Sequence, residues 1–243
     1  RMNFKFEDME AWEIPLPSLD EQNAIVAQIE KQKAIIKGAD LVLKNNEFNL
    51  SELNYPFQPL TAICENWDGK RRPVSENERI KGDIPYYGAS GIIDYIQDYI
   101  IDDDILLVSE DGANLKARVY PIAFSVSGKS WINNHAHILK FDDYYKQKFV
   151  EYYLNSISLE PYLTGATMPK LNQANLNKIS IPLPDPIALK EIVNELDAKM
   201  NVLNGLRKMK TEAQKKINQL LADVWGVEFV EPENILVEDE QEN

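Results

Sequence analysis

Apolar residues change rhythm three times along this chain. Ile25, Ile29, Ile36 and Leu43 recur at helical spacing, and so do Ile192, Leu196, Leu203, Leu206, Ala213, Ile217 and Leu220. The second series runs without proline for about ten turns, so at about 1.5 Å per residue it predicts a helix of roughly 50 Å. Each stripe is too narrow for a helix buried all round and calls for one partner, which the other helix supplies. Between them the apolar residues come in short β-branched or aromatic runs at 59–63, 92–96, 100–101, 105–108, 117–124 and 135–141. Turn signals separate these runs: Asp68-Gly69, Lys81-Gly82-Asp83, Gly88-Ala89-Ser90-Gly91, Asp111-Gly112 and Ser127-Gly128. Residues 149–157 return to helical spacing with tyrosines on one face. The middle of the chain is therefore expected to be a compact, largely β domain with some helix.

A repeat frames this pattern. Ile14-Pro15-Leu16-Pro17 returns as Ile181-Pro182-Leu183-Pro184, and Ile25-Val26 returns as Ile192-Val193 at the same offset of 167 residues. Upstream, Phe4, Met9 and Trp12 align with Leu171, Leu176 and Ile179; downstream, Ile29 aligns with Leu196 and Ile36 with Leu203. Register kept over about forty residues marks an internal repeat rather than a chance tetrapeptide. Alternate prolines hold each copy extended, and Asp20 and Asp185 offer carboxylates near the helix starts that follow. The chain divides into a first repeat with its helix (1–50), an insert (51–180), a second repeat with a longer helix (181–222) and a tail (223–243). It begins partway through a repeat unit, so we expect it to be part of a longer polypeptide.

Composition narrows the classes. Of 243 residues, 44% are hydrophobic, an ordinary fraction for a folded domain, and no run is long and apolar enough to cross a membrane. A lone cysteine, Cys64, excludes a disulfide framework and a Cys-rich zinc site, and suits a cytoplasmic protein. The net charge is −13, but residues 222–243 alone carry eight acids and no Lys or Arg. That segment is expected to be mostly flexible beyond Val230. The rest is mildly acidic, which excludes a stand-alone nonspecific nucleic-acid binder yet leaves room for local basic loops.

No complete catalytic set is visible. Asn54-Tyr55-Pro56-Phe57 is close to the Asn-Pro-Pro-Tyr type of motif that holds a flipped adenine, but its second position is Tyr and no glycine-rich strand-to-helix segment precedes it. A turn entering the first strand is the expected reading. His135 and His137, two apart in a strand, would share a face, but no third or fourth metal ligand accompanies them. The acids at 102–104 and 110–111 lack nuclease-like spacing, and no nucleophile-elbow or phosphate-loop pattern occurs.

What the turns do collect is the side-chain chemistry that reads DNA. Lys70, Arg71 and Arg72 follow Trp67-Asp68-Gly69; Lys81 precedes Tyr87 and Ser90; Lys116 and Arg118 follow Gly112-Ala113-Asn114. Lys129 precedes Asn133 and Asn134, and Thr167 precedes Lys170. Arg, Lys and Asn reach base edges, while Ser, Thr and Tyr add phosphate bonds. These thirteen residues are the candidate DNA contacts.

Ile-Pro-Leu-Pro-x-Leu-x-x-Gln at 14–22, followed by a long helix, resembles the conserved region of specificity subunits of type I restriction–modification systems. Ile84-Pro85-Tyr86-Tyr87-Gly88-Ala89-Ser90-Gly91, Leu107-Val108-Ser109-Glu110-Asp111-Gly112-Ala113-Asn114, Trp131-Ile132-Asn133-Asn134-His135-Ala136-His137 and Pro169-Lys170-Leu171-Asn172-Gln173-Ala174-Asn175-Leu176 resemble segments of one subclass of their target recognition domains. The resemblance covers roughly residues 4–222. It implies an α+β fold, a largely β target recognition domain flanked by two long helices paired as an antiparallel coiled coil. It also implies a non-catalytic module that reads one half of a split DNA target. The helices would set the half-site gap and dock methyltransferase subunits that use S-adenosylmethionine to methylate adenine at N6; this chain itself would hold no cofactor. A restriction subunit and a second copy of the chain, paired through the helices, are the further partners implied. Ile35-Ile36-Lys37-Gly38-Ala39 is similar to the version found where a specificity region is fused behind an N6-adenine methyltransferase, which is the alternative parent. A protein-interaction scaffold is the third reading. The second repeat departs from the pattern, with Asp185-Pro186-Ile187-Ala188-Leu189 where Leu-x-x-Gln would fall.

Overall fold

A computed structural model describes residues 14–45, 50, 53–165 and 167–228. Phe4, Met9 and Trp12 of the first repeat, and the tail from residue 229 onward, lie outside the described residues. The rest forms two compact units, one from the residues before Phe48 and from Lys199 onward, the other from Phe48–Ala198.

The first unit is built from helices. Helix α1 (Leu19–Lys44) starts at a capping box: Ser18 Oγ accepts from the Glu21 amide, and the Glu21 carboxylate accepts from the Ser18 amide at 2.8 Å. The Ser18 hydroxyl and amide hold the Glu21 carboxyl below its usual pKa. The cap is thus Ser18 with Glu21 rather than Asp20. The least exposed residues of α1 are Gln22, Ile25, Ile29, Gln32, Ile36, Ala39 and Leu43, in alternating steps of three and four, with Ile35 beside them. The C-terminal helix (Pro186–Trp225, 40 residues) carries the same alternation at Leu203, Leu206, Lys210, Ala213, Ile217 and Leu220. Lys210 falls in that seam and its ammonium bonds Asp40 at 2.6 Å. The longer helix spans about 60 Å, somewhat more than expected. At its start the Asp185 side chain accepts from the Ile187 and Ala188 amides and Pro186 occupies the first turn, where its missing N–H costs nothing. The departure from Leu-x-x-Gln is therefore itself a helix start, and Leu189, 4% exposed, is buried where the first repeat has Gln22.

The second unit is the insert together with the start of that helix. Strands β1 (Phe57–Pro59), β2 (Glu65–Asn66), β3 (Lys81–Gly88), β4 (Gly91–Ile96), β5 (Ile101–Asp102), β6 (Ile105–Ser109), β7 (Ala123–Val126), β8 (Lys129–Ile132), β9 (Ala136–Lys140) and β10 (Ser180–Pro182) make three sheets. Their orders are β1-β10, β2-β9-β6-β7 and β4-β3-β8-β5. All pairings are antiparallel except β3 with β8. Every residue of β6 is buried. Alternation sends Leu106 and Val108 into one core and Ile105 and Leu107 into another, so this strand lies between two apolar layers. The larger core takes Phe149, Val150, Tyr153 and Leu154 from helix α2 (Tyr144–Ser156), which starts at an Asp143 cap.

Several expectations need correction. The 59–63 run is not a strand, because Pro59 ends β1 and residues Leu60–Ile63 make a helical turn. In the 117–124 run, Arg118 is left-handed (φ 54°) and Pro121 has no amide for a ladder, so pairing begins only at Ala123. Lys81-Gly82-Asp83 lies inside β3 rather than in a turn: a Cβ on Gly82 would lie 2.5 Å from the Gln97 Cα, so only glycine admits that approach. The two Ile-Pro-Leu-Pro copies also differ. Ile181 is buried in β10 against β1, whereas Ile14 and Leu16 are 65% and 84% exposed.

Candidate nucleic-acid interface

Strand polarity gathers the turns. β6 and β9 are antiparallel with Ser109 opposite Ala136, so the end of one adjoins the start of the other. β3 and β8 are parallel with Tyr87 opposite Ile132, so both end on one side. The Ser109 hydroxyl donates to the Ala89 carbonyl and ties the two sheets there. The turn after Trp67 joins them, since the Arg72 amide donates to Ile132 O at 3.1 Å. So does the 163–171 loop: Thr164 and Lys170 exchange two backbone bonds of 2.8 Å, and the Leu171 amide donates to Glu110 O at 2.7 Å. Four strings that resemble recognition-domain segments thus meet at one edge.

Buried ionic contacts bind that edge together. Asp68 Oδ1 accepts the Ile138 amide at 2.9 Å and Oδ2 lies 2.7 Å from His137 Nδ1. His137, fully buried, places Nε2 2.6 Å from Leu171 O. Both of these partners can only accept, so both ring nitrogens donate. Burial pushes the Asp68 carboxyl upward, but the His137 bond and charge, the Ile138 amide and Arg71 outweigh it and hold it below the usual range. Glu110 Oε2 takes the Arg71 guanidinium, and Oε1 lies 3.1 Å from Lys170 Nζ. Asp111 receives His135 Nδ1 at 2.8 Å.

The structure separates the thirteen candidates. Arg72, Ser90, Asn134 and Lys170 lie at this edge with solvent access; Lys116 follows the Gly112 turn and is exposed, and Thr167 is exposed beside Lys170. Arg71 is not a free donor: it also bonds Asp68 O and the carbonyls of Asn134 and Ala136. Arg118 caps α2 by donating to Leu154, Asn155 and Ile157 carbonyls, and burial pulls its pKa down. Asn133, 4% exposed, builds its own turn by accepting the His135 amide. Tyr87 packs against Phe124 with ring centroids 6.1 Å apart, and burial, then Tyr95, raises its pKa. Lys70 lies over the Trp67 ring, Lys129 over Tyr99, and Lys81 starts β3 at the end away from the edge. Sequence reading missed Asp68, Glu110, Asp111 and His137 as organisers. Their presence inside or beside the recognisable strings was the available signal.

His135 and His137 do not pair on one face, and among the described residues no group of ligands is placed to hold a metal. Cys64 ends the Leu60–Ile63 turn with its thiol on Leu60 O, and burial pushes its pKa to about 12, so it is a poor nucleophile. Arg118→Ala is expected to cost about 1–3 kcal/mol in urea unfolding by stripping partners from three carbonyls, while leaving the salt dependence of DNA binding unchanged. A flattened salt dependence would show Arg118 to be a phosphate contact instead.

Comparison with known proteins places this geometry. A putative type I restriction enzyme specificity subunit, S.HindORF215P of Haemophilus influenzae, is 35% identical over 160 residues, covering 64% of this chain and 41% of that protein. The S subunit of the type I restriction–modification system of M. genitalium has a similar fold (TM-score 0.59, 16% identity), over 94% of this chain and 67% of that one. A chain from a structural study of complex assembly and conformational transition of the type I R-M system aligns at TM-score 0.58 and 19% identity, over 88% of this chain and 60% of that one. The chain spans less than half of the curated relative. The family described as type I restriction modification DNA specificity domain matches residues 54–219, more than half of the sequence, and this chain belongs to it.

Proposed function

We propose that this chain reads one half of a split DNA target for an N6-adenine methyltransferase, through the loop edge that carries Arg72, Ser90, Asn134, Lys170, Lys116 and Thr167. The observation that supports the reading is convergence: turns from residues 67–72, 88–91, 109–114, 132–136 and 163–171 meet there, and they supply cationic and amide side chains beside backbone turns. The helices of the first unit set the distance between half-sites, since one added turn of about 5.4 Å shifts a recognition domain by roughly one and a half base pairs. They also dock the methyltransferase, which brings S-adenosylmethionine and the catalytic groups in the cytoplasm. The chain's own residues then bind and orient the duplex.

Methylome sequencing of cells with and without the parent gene tests this. A split motif methylated at adenine N6 should vanish on deletion. An unchanged methylome in a strain that expresses the methyltransferase would overturn the assignment.

A further inference from the structure

Glu110 is the one carboxylate among the described residues at which three sequence-distant loops meet. It leads the 109–114 loop, its Oε2 holds Arg71 from the 67–72 turn, and its Oε1 lies 3.1 Å from Lys170 of the 163–171 loop. His137 Nδ1 lies 3.7 Å from Oε2 and bonds Asp68, so the first turn is tied twice. Glu110 is 9% exposed, and its backbone is engaged as well: the carbonyl accepts from Leu171 and the amide donates to His135 O at 2.8 Å.

Such a centre is a poor stabiliser, because desolvating several charges cancels most of their attraction. It is a strong positioner. Apolar packing is non-directional and leaves glycine-containing turns free to slide over a core, whereas a carboxylate with a different cation on each oxygen fixes direction as well as distance. Bidentate contacts to base edges have the same narrow tolerance, so loops that read bases need their relative placement set by directional bonds.

We propose that Glu110 is a positioning residue for sequence readout, holding the three loops in the arrangement that matches one base sequence without itself touching DNA. This rests on the DNA-reading assignment above. Glu110→Gln keeps shape and an acceptor for Arg71 but turns an amide toward Lys170, so it severs the tie to the 163–171 loop alone. Glu110→Asp keeps the charge but is one methylene too short to reach both cations.

The test uses the full chain. Selection from a pool of randomised duplexes gives the preferred duplex, and a scrambled duplex of equal length serves as reference. For Glu110→Gln the ratio of the two affinities should fall at least tenfold, while affinity for the scrambled duplex and its salt slope stay as in the wild type. A ratio kept within twofold, or equal losses on both duplexes, would overturn the proposal. Should Glu110→Gln fail to fold by circular dichroism, Glu110→Asp is measured in its place: a tenfold fall in the ratio supports the role, and a ratio kept within twofold overturns it. If the wild-type chain selects no sequence at all, the DNA-reading assignment fails rather than the role of Glu110 within it.

Discussion

Asp68→Ala is expected to lower the unfolding free energy by about 3–5 kcal/mol, the usual cost of removing one partner from a buried ion pair. The substitution leaves the His137 Nδ1–H and the Ile138 amide without their acceptor and takes a counter-charge from Arg71. For a chain of this size, about 2–4 °C per kcal/mol puts the melting temperature roughly 10 °C lower. Acid should add to the effect in the wild type. The folded-state pKa of Asp68 lies below its unfolded value, so its contribution is complete above about pH 4 and is lost as pH falls through the folded pKa. Thermal unfolding followed by circular dichroism from neutral pH into acid reads both parts. Asp68→Ala should melt lower near neutrality and show a shallower acid dependence than the wild type. A loss under 1 kcal/mol would mean that the buried contacts are neutral overall.

Replacing Arg72, Lys116 and Lys170 together with Ala should weaken binding to duplex DNA on the order of a hundredfold at 0.1 M salt. It should also reduce the slope of log K against log salt by about 3, close to one per lost phosphate contact. Fluorescence anisotropy across a salt series measures both. All three residues have solvent access, and Arg72 spends one nitrogen on the nearby Gly69 and Arg71 carbonyls. Stability should change little, since exposed ion pairs contribute about 0–1 kcal/mol. Arg71 is left out deliberately. Removing it would strip Glu110 and Asp68 of their cation and confound folding with binding. An unchanged slope would move the phosphate contacts away from this edge, toward Lys70, Lys81 and Lys129.

Much of the fold was legible because it is written locally. Alternating steps of three and four in Leu203–Leu206–Lys210–Ala213–Ile217 announce a helix with one partner. The run Ile105-Leu106-Leu107-Val108 announces a strand buried on both faces, and that is where β6 lies. Residues 81–88 were harder. Their one strong local signal, Lys81-Gly82-Asp83, spells a turn, and only the close approach of the Ile96–Gln97 backbone explains a glycine within a strand. The site was legible as a set of strings and illegible as a set of roles. Arg71 and Arg72 are neighbours in sequence, yet Glu110, 39 residues away, engages the first and leaves the second accessible. No spacing rule carries that information.

The amino-acid sequence by itself determined the elements, the repeat with its helices, and the family, because periodicity, caps and characteristic strings act over a few residues. Only the tertiary structure decided which polar side chains remain available for DNA and which hold the loops. That choice depends on charges brought within hydrogen-bonding distance by strand pairing: His137 meets Asp68 across 69 positions, and Arg118 meets the last turn of α2 across 36–39.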